Sequence, residues 1–185
     1  NKPKYLSIAK SEQPGPNIFW VLASIDYASA TGDNDWLKAH YNKMKEATDH
    51  VLKTYDPEIQ LVKVNGPLFI DVFIRNNFTL DTNVMLLRLL PLMSDIARLC
   101  NDEDGAERYL VYSKDIKSGI NEQLWDGNDH YFTQKNVDGT IRDMVDYDGN
   151  YAAIAFGAVT DEAIVKSIFK RLDGGENTHP NGYGT

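Results

Sequence analysis

The sequence predicts an all-α fold built from repeated helical hairpins arranged in two layers. Three pairs of helical segments follow one another along the 185 residues. The first segment of each pair is apolar on nearly all sides and the second is amphipathic, so the first should be buried and the second should face solvent. This alternation favours an inner and an outer ring of helices over an ordinary bundle, in which every helix would be amphipathic.

The element boundaries follow from the periodicity of the apolar residues. Six helices are predicted, in three pairs: 17–30 with 35–55, 81–99 with 106–125, and 151–158 with 162–172. An aspartate stands in the turn within each pair (Asp33, Asp102 and Asp161), and each should cap the second helix of its pair. Pro91 lies inside the most apolar helix and should kink it or remove a backbone hydrogen bond.

The two connections between hairpins, residues 56–79 and 126–149, are long. Long loops that return to one face of a rigid scaffold are where functional sites are usually built. The second connection should contain a β-hairpin, because alternating runs flank Asp138-Gly139, a strong signal for a two-residue turn. The acidic residues that follow it, from 143 to 148, are expected to be mostly solvated.

Composition excludes several classes of protein. A net charge of −8 and a pI near 4.9 argue against nucleic-acid binding, which needs a basic surface. No apolar run is long enough to span a membrane. Cys100 is the single cysteine, so no intrachain disulfide can form, and the four histidines show no paired ligand spacing. We therefore predict no cofactor and no metal, with calcium on the acidic 143–148 loop as an open alternative.

The chain opens on Asn1 and its first residues resemble the interior of a protein, so we expect a fragment of a longer chain forming one partial domain. The compartment is therefore unknown. If the helices form an incomplete ring, apolar inner-helix surface would be exposed, so a homo-oligomer is one possible state. An acidic surface is compatible with a neutral partner such as a carbohydrate.

Residues 65–88 carry the strongest chemical signal. Asp71 sits in an apolar run and Arg75 follows four residues later. Apolar surroundings raise the pKa of a carboxyl group, whereas a nearby guanidinium lowers it. The residues alone leave two interpretations open: a carboxyl group that carries a proton, and an Asp71–Arg75 ion pair that ties down a loop.

Four motifs occur in a fixed order: Gln13-Pro14-Gly15-Pro16 with Thr31-Gly32-Asp33, Asp71-Val72-Phe73-Ile74-Arg75, Leu80-Asp81-Thr82-Asn83-Val84, and Leu124-Trp125-Asp126 with Tyr131-Phe132. In this series the chain resembles the six-hairpin α/α-toroid glycosidases, and most closely the trehalase and processing α-glucosidase group. The resemblance covers nearly the whole chain but only three of the six hairpins of such a toroid. Ile70 replaces the signature tryptophan before the aspartate, which leaves the sugar open, and debranching and rhamnosidase-type toroids remain alternatives.

The resemblance implies a glycosidase of the α-glucosidase or trehalase type that inverts the anomeric centre. Asp71 would be the general acid, and its apolar neighbours would help to keep it protonated. Arg75 would orient it or bind a sugar hydroxyl. An inverting enzyme needs a second carboxylate roughly 6.5–9.5 Å away, which in this family is a glutamate from a later hairpin. We therefore expect the 185 residues alone to be inactive.

Five further residues are candidates for sugar binding. Trp20, Tyr147 and Tyr151 would stack on a sugar ring, and Gln13 and Asn150 would bind hydroxyl groups. Two other functions remain open. One is a non-catalytic helical-repeat module, which a groove without converging carboxylates would favour. The other is a toroid epimerase or lyase, for which His130 and Tyr151 are the nearest candidate bases.

Overall fold

The computed structural model describes residues 13–68 and 75–173, without the side chains of residues 144 and 145. Within that part of the chain it contains three helical hairpins. Their helices are α1 (Gly15–Thr31), α2 (Asn34–Leu52), α3 (Leu80–Leu99), α4 (Glu103–Gly119), α5 (Tyr147–Ala155) and α6 (Glu162–Asp173). A π-helical turn, Ile120–Leu124, continues α4. The predicted all-α hairpin fold is confirmed.

The turn inside each hairpin is built as predicted. The carboxylates of Asp33, Asp102 and Asp161 each accept a hydrogen bond from the backbone N–H three residues further on, at 2.9, 2.9 and 3.0 Å. Each therefore caps the second helix of its pair. Gly32 ends α1 with φ +72°, a left-handed conformation that glycine adopts without steric cost.

Helix α3 is the centre of the core. Twelve of its residues are buried, and it packs against α1, α2, α4 and α5. It continues through Pro91 without interruption. The flanking helices α1 and α5 are less covered, and Phe19, Trp20 and Tyr151 are 37–40% exposed. The described part of the chain contains no helix that is long and apolar enough to cross a membrane.

The first connection is more ordered than the sequence predicts. Helix α2 ends at Leu52 instead of residue 55, because Tyr55–Asp56 (β1) pairs with Leu61–Val62 (β2). Two further strands follow, Val64–Asn65 (β3) and Asn76–Thr79 (β4). Strands this short carry no readable alternation, which is why the sequence indicated a loop.

The second connection forms the predicted β-hairpin, with strands Phe132–Lys135 (β5) and Ile141–Val145 (β6). Strand β5 also pairs with β4, so the two connections share one antiparallel sheet in the order β3-β4-β5-β6. Because β4 leads into α3 and β6 leads into α5, the sheet brings the amino ends of these two inner helices together. Helix α5 begins at Tyr147, four residues earlier than predicted, since Asp146 caps it.

A buried asparagine fastens the first connection to α3. Asn83, the fourth residue of the helix, is 0% exposed. Its Oδ1 accepts from the N–H of Val62 at 2.8 Å, and its Nδ2 donates to the carbonyl of Val62 at 3.1 Å and to that of Thr79 at 2.8 Å. The side chain thus pairs with Val62 as a neighbouring strand would, and the polar groups it buries are satisfied.

The same arrangement recurs in α5. Asn150 is also the fourth residue of its helix and is 0% exposed. It accepts from the N–H of Tyr131 at 2.7 Å, and it donates to the carbonyls of Tyr131 at 3.1 Å and of Asp146 at 2.9 Å. The second and third hairpins therefore repeat not only in helix order but in this bond pattern.

Candidate functional site

A cavity of about 370 Å³ opens between α1, α3 and α5 on the side where the two connections meet. Its walls are mostly apolar and come from Phe19, Leu68, Val84, Met85 and Ala152. Two carboxylates, Asp81 and Asp148, complete the lining. Each is the second residue of its helix, where the helix dipole favours negative charge.

An arginine lies between the carboxylates that begin α3 and α5. The Nε of Arg75 is 3.9 Å from Oδ2 of Asp81, and one of its terminal nitrogens is 3.6 Å from Oδ2 of Asp146. All three side chains are at least 85% buried. Asp81 belongs both to this cluster of Arg75, Asp81 and Asp146 and to the cavity lining. The positive charge of Arg75 therefore lies next to the cavity wall.

Asp146 uses its two carboxylate oxygens differently. Oδ1 accepts from the N–H of Gly149 at 3.2 Å and caps α5. Oδ2 is sealed from solvent and has no hydrogen-bond partner among the described residues. Burial raises the pKa of Asp146 above its ordinary 3.8, although the hydrogen bond from Gly149 and the charge of Arg75 partly oppose this. Such a carboxyl group can hold a proton at a higher pH than a solvated one.

The family model of the bacterial alpha-L-rhamnosidase six-hairpin glycosidase domain matches residues 2–180 of this chain. The chain belongs to this family. The predicted resemblance to the six-hairpin glycosidase superfamily is therefore confirmed. No curated protein matches the sequence.

A solved relative supports the same fold for this rhamnosidase-type domain. The crystal structure of a GH78 family rhamnosidase of Bacillus sp. GL1 superimposes with a TM-score of 0.77 at 21% identity. The match covers 94% of this chain and 18% of that protein. The predicted toroid architecture is thereby confirmed, whereas the closer affinity to trehalases and processing α-glucosidases is not.

Of the predicted general acid, Asp71, and the arginine four residues after it, the structure describes only the arginine. Asp71 lies outside the described residues, so its assignment stays a prediction. Arg75 lies beside the cavity-lining Asp81, and its role in orienting the acid or binding a sugar hydroxyl stays a prediction. The acidic loop that follows the hairpin was expected to be solvated, but the side chain of Asp146 is only 10% exposed.

The aromatic candidates lie at or near the surface. Trp20 is 40% exposed and follows the cavity residue Phe19. The rings of Tyr147 and Tyr151 are 6.4 Å apart, and the hydroxyl of Tyr151 donates to Asp173 at 2.9 Å. None of these three side chains is part of the cavity lining, so a stacking role for them stays a prediction.

The two amide candidates are placed elsewhere. Asn150 is buried and its amide is hydrogen-bonded to the backbone of Tyr131, which gives it a role in the scaffold, and its predicted role in binding a sugar hydroxyl stays a prediction. Gln13 lines a separate cleft of about 260 Å³ that shares no lining residue with the cavity. Its Nε2 is buried without a hydrogen-bond partner among the described residues.

A cluster of one buried histidine and three aspartates was not predicted from the sequence. His130 is 5% exposed. Its Nδ1 lies 2.9 Å from Asp129 and 3.2 Å from Asp126, and its Nε2 lies 2.9 Å from Asp143 on β6. Burial disfavours the charged imidazole, but the hydrogen bonds to Asp143 and Asp129 outweigh it and raise the pKa of His130 above 6.5.

This cluster also contains residue types that ligate metals. Ligand atoms of Asp126, Asp129 and His130 all lie within 4.8 Å of one another. A protonated imidazole between carboxylates satisfies the same groups without an ion, and Arg171 adds a second cation 3.8 Å from Asp129. The sequence signal for the cluster was weak, because Asp143 reaches His130 only through the pairing of β5 with β6.

Proposed function

We propose that the protein hydrolyses glycosidic bonds by an inverting acid/base mechanism, with an α-L-rhamnoside as the first candidate substrate. The observation that carries this proposal is the cavity between α1, α3 and α5, in a chain that belongs to a rhamnosidase domain family. Its converging carboxylates, Asp81 and Asp148 with Asp146 close by, favour an enzyme over the helical-repeat binding module.

The lining of the cavity suits a deoxysugar. Carboxylates are strong acceptors for sugar hydroxyls, and Asp81 and Asp148 offer them at one wall. The other walls are apolar, so a methyl group packs there without leaving a polar group unsatisfied. A 6-deoxyhexose such as rhamnose presents both kinds of surface, whereas the additional hydroxyl of glucose would need a polar partner.

The α-glucoside alternative depends on a different observation. The spacing of Asp71 and Arg75 resembles that of trehalases and processing α-glucosidases. In both cases Asp71 would protonate the leaving oxygen, Arg75 would orient it or bind a hydroxyl, and a carboxylate elsewhere in the complete protein would activate the water.

The test is hydrolysis of a matched panel of glycosides by the complete protein that carries these residues. The panel contains alkyl and 2,4-dinitrophenyl α-L-rhamnosides and α-D-glucosides, together with α-linked disaccharides. Asp71→Asn should lower kcat by about 10²–10⁴-fold on the alkyl glycosides. The loss should be much smaller on the dinitrophenyl glycosides, because dinitrophenolate leaves without protonation.

Asp104→Asn is the control, since Asp104 is an exposed aspartate on the outer helix α4. Its activity should equal that of the wild type. Proton NMR of the first product formed should show the opposite anomer to the substrate. Equal activity of Asp71→Asn and the wild type would make Asp71–Arg75 a structural pair. If the wild type hydrolyses none of these glycosides, the non-catalytic binding module becomes the better-supported function.

A further inference from the structure

The buried oxygen of Asp146 is the least explained polar atom near the cavity. Asp146 Oδ2 lies 3.6 Å from a terminal nitrogen of Arg75, which is an ion-pair distance but longer than a hydrogen bond. It accepts no hydrogen bond from any described residue and is closed to solvent. A buried acceptor left in this state needs an explanation, because native proteins satisfy almost all such groups.

The cap of α5 does not explain this oxygen. The cap uses Oδ1, which accepts from Gly149, and serine or asparagine would serve a cap equally well. Gly149 also allows the close approach, since a Cβ there would lie 3.1 Å from Asp146 Oδ2 and 2.8 Å from the side chain of Leu80. The carboxylate is therefore packed with its second oxygen directed toward Arg75.

We propose that Asp146 is a positioning residue, whose buried Oδ2 holds the Arg75 guanidinium against Asp81 at the cavity wall. Arg75 is then fixed from two helices, by Asp146 at the start of α5 and by Asp81 at the start of α3. Hydrogen bonds at active sites are often long without substrate and shorten in the complex. The 3.6 Å separation would close when a sugar occupies the cavity. This inference rests on the proposed function in one respect only, namely that Arg75 contacts a sugar or the catalytic acid.

The structure offers a variant that separates the two tasks of Asp146. Asp146→Ser keeps a side-chain oxygen for the cap but is too short to reach Arg75. Asp161→Ser is the matched control, because Asp161 caps α6 in the same way and forms no ion pair with any described cation. Both variants should remain folded at the assay temperature, since each keeps an oxygen for its cap. Asp146→Ser should have the lower unfolding midpoint of the two, because the buried Arg75 loses one of its carboxylate partners.

The kinetic test uses the complete protein and the preferred glycoside. Asp146→Ser should lower kcat/KM by roughly tenfold to a hundredfold, the cost of a misplaced site group, and Asp161→Ser should not. In an Arg75→Gln background, Asp146→Ser should cause no further loss, because a positioning residue acts only through its partner. An additive loss in the double variant would overturn the proposal and indicate that Asp146 acts on substrate directly.

A second measurement is independent of catalysis. The Nε–H signal of Arg75 in ¹⁵N NMR spectra should shift and broaden in Asp146→Ser and stay unchanged in Asp161→Ser. An unchanged Arg75 signal in Asp146→Ser would overturn the positioning role even if activity fell. If the wild type hydrolyses no glycoside but the Arg75 signal responds as expected, the proposed function fails and the positioning role stands.

Discussion

Replacing Asn83 with alanine should destabilise the fold more than a typical surface substitution. The change removes three hydrogen bonds, to the N–H and carbonyl of Val62 and to the carbonyl of Thr79, at a site with 0% exposure. At about 1 kcal/mol for each bond, the expected loss is about 3 kcal/mol. For a protein of this size that corresponds to a decrease of roughly 6–12 °C in Tm.

The measurement is urea and thermal unfolding followed by far-UV circular dichroism. Asn34→Ala is the control, since Asn34 is exposed at the start of α2, and its effect should stay within about 0.5 kcal/mol. Asn150→Ala should lose as much as Asn83→Ala, and the double variant should show the sum, because the two asparagines share no partner. A loss below about 1 kcal/mol for Asn83→Ala would refute the reasoning, since even one lost buried bond costs that much.

The remaining predictions concern pH and close packing. The folded-state pKa of His130 is raised above 6.5, so its stabilisation should be present below pH 6.5 and be lost as the pH rises through the folded pKa. The difference in unfolding free energy between the wild type and His130→Gln should therefore shrink toward alkaline pH. A difference that stays constant with pH would contradict this stabilisation by protonated His130. Gly15→Ala would place a Cβ 1.8 Å from the carbonyl oxygen of Leu68, a backbone atom. We expect a loss of about 1–3 kcal/mol in thermal unfolding, and a neutral effect would show that this contact relaxes freely.

Much of the fold could be predicted because its signals are local. The hairpin order follows from helical periodicity, and the caps at Asp33, Asp102 and Asp161 follow from one side chain and the next turn. The β5–β6 hairpin follows from Asp138-Gly139. Strands β1 to β4 escaped prediction because they are only two to four residues long, and β4 is stabilised in part by β5, which follows two helices later in the chain.

The site was less predictable for the same reason. Arg75 was identified from its spacing to Asp71, but its contact with Asp146 depends on the pairing of Phe78 with Lys135 and of Thr79 with Gln134. No periodicity within either connection encodes that register. Asp146 was therefore placed in a solvated loop, although the sheet brings it beside Arg75 and seals it from water.

The Asp-x-Asn pairs at the starts of α3 and α5 show how helix geometry divides these roles. Asp81 and Asn83, like Asp148 and Asn150, are two residues apart, which places their side chains about 200° apart around the helix axis. The aspartate of each pair consequently lines the cavity, while the asparagine faces the connection that precedes the helix and bonds to its backbone. One signature thus serves both the site and the scaffold. An asparagine in the fourth position of an inner helix is a structural residue here, and the aspartate in the second position is the one to test for contact with substrate.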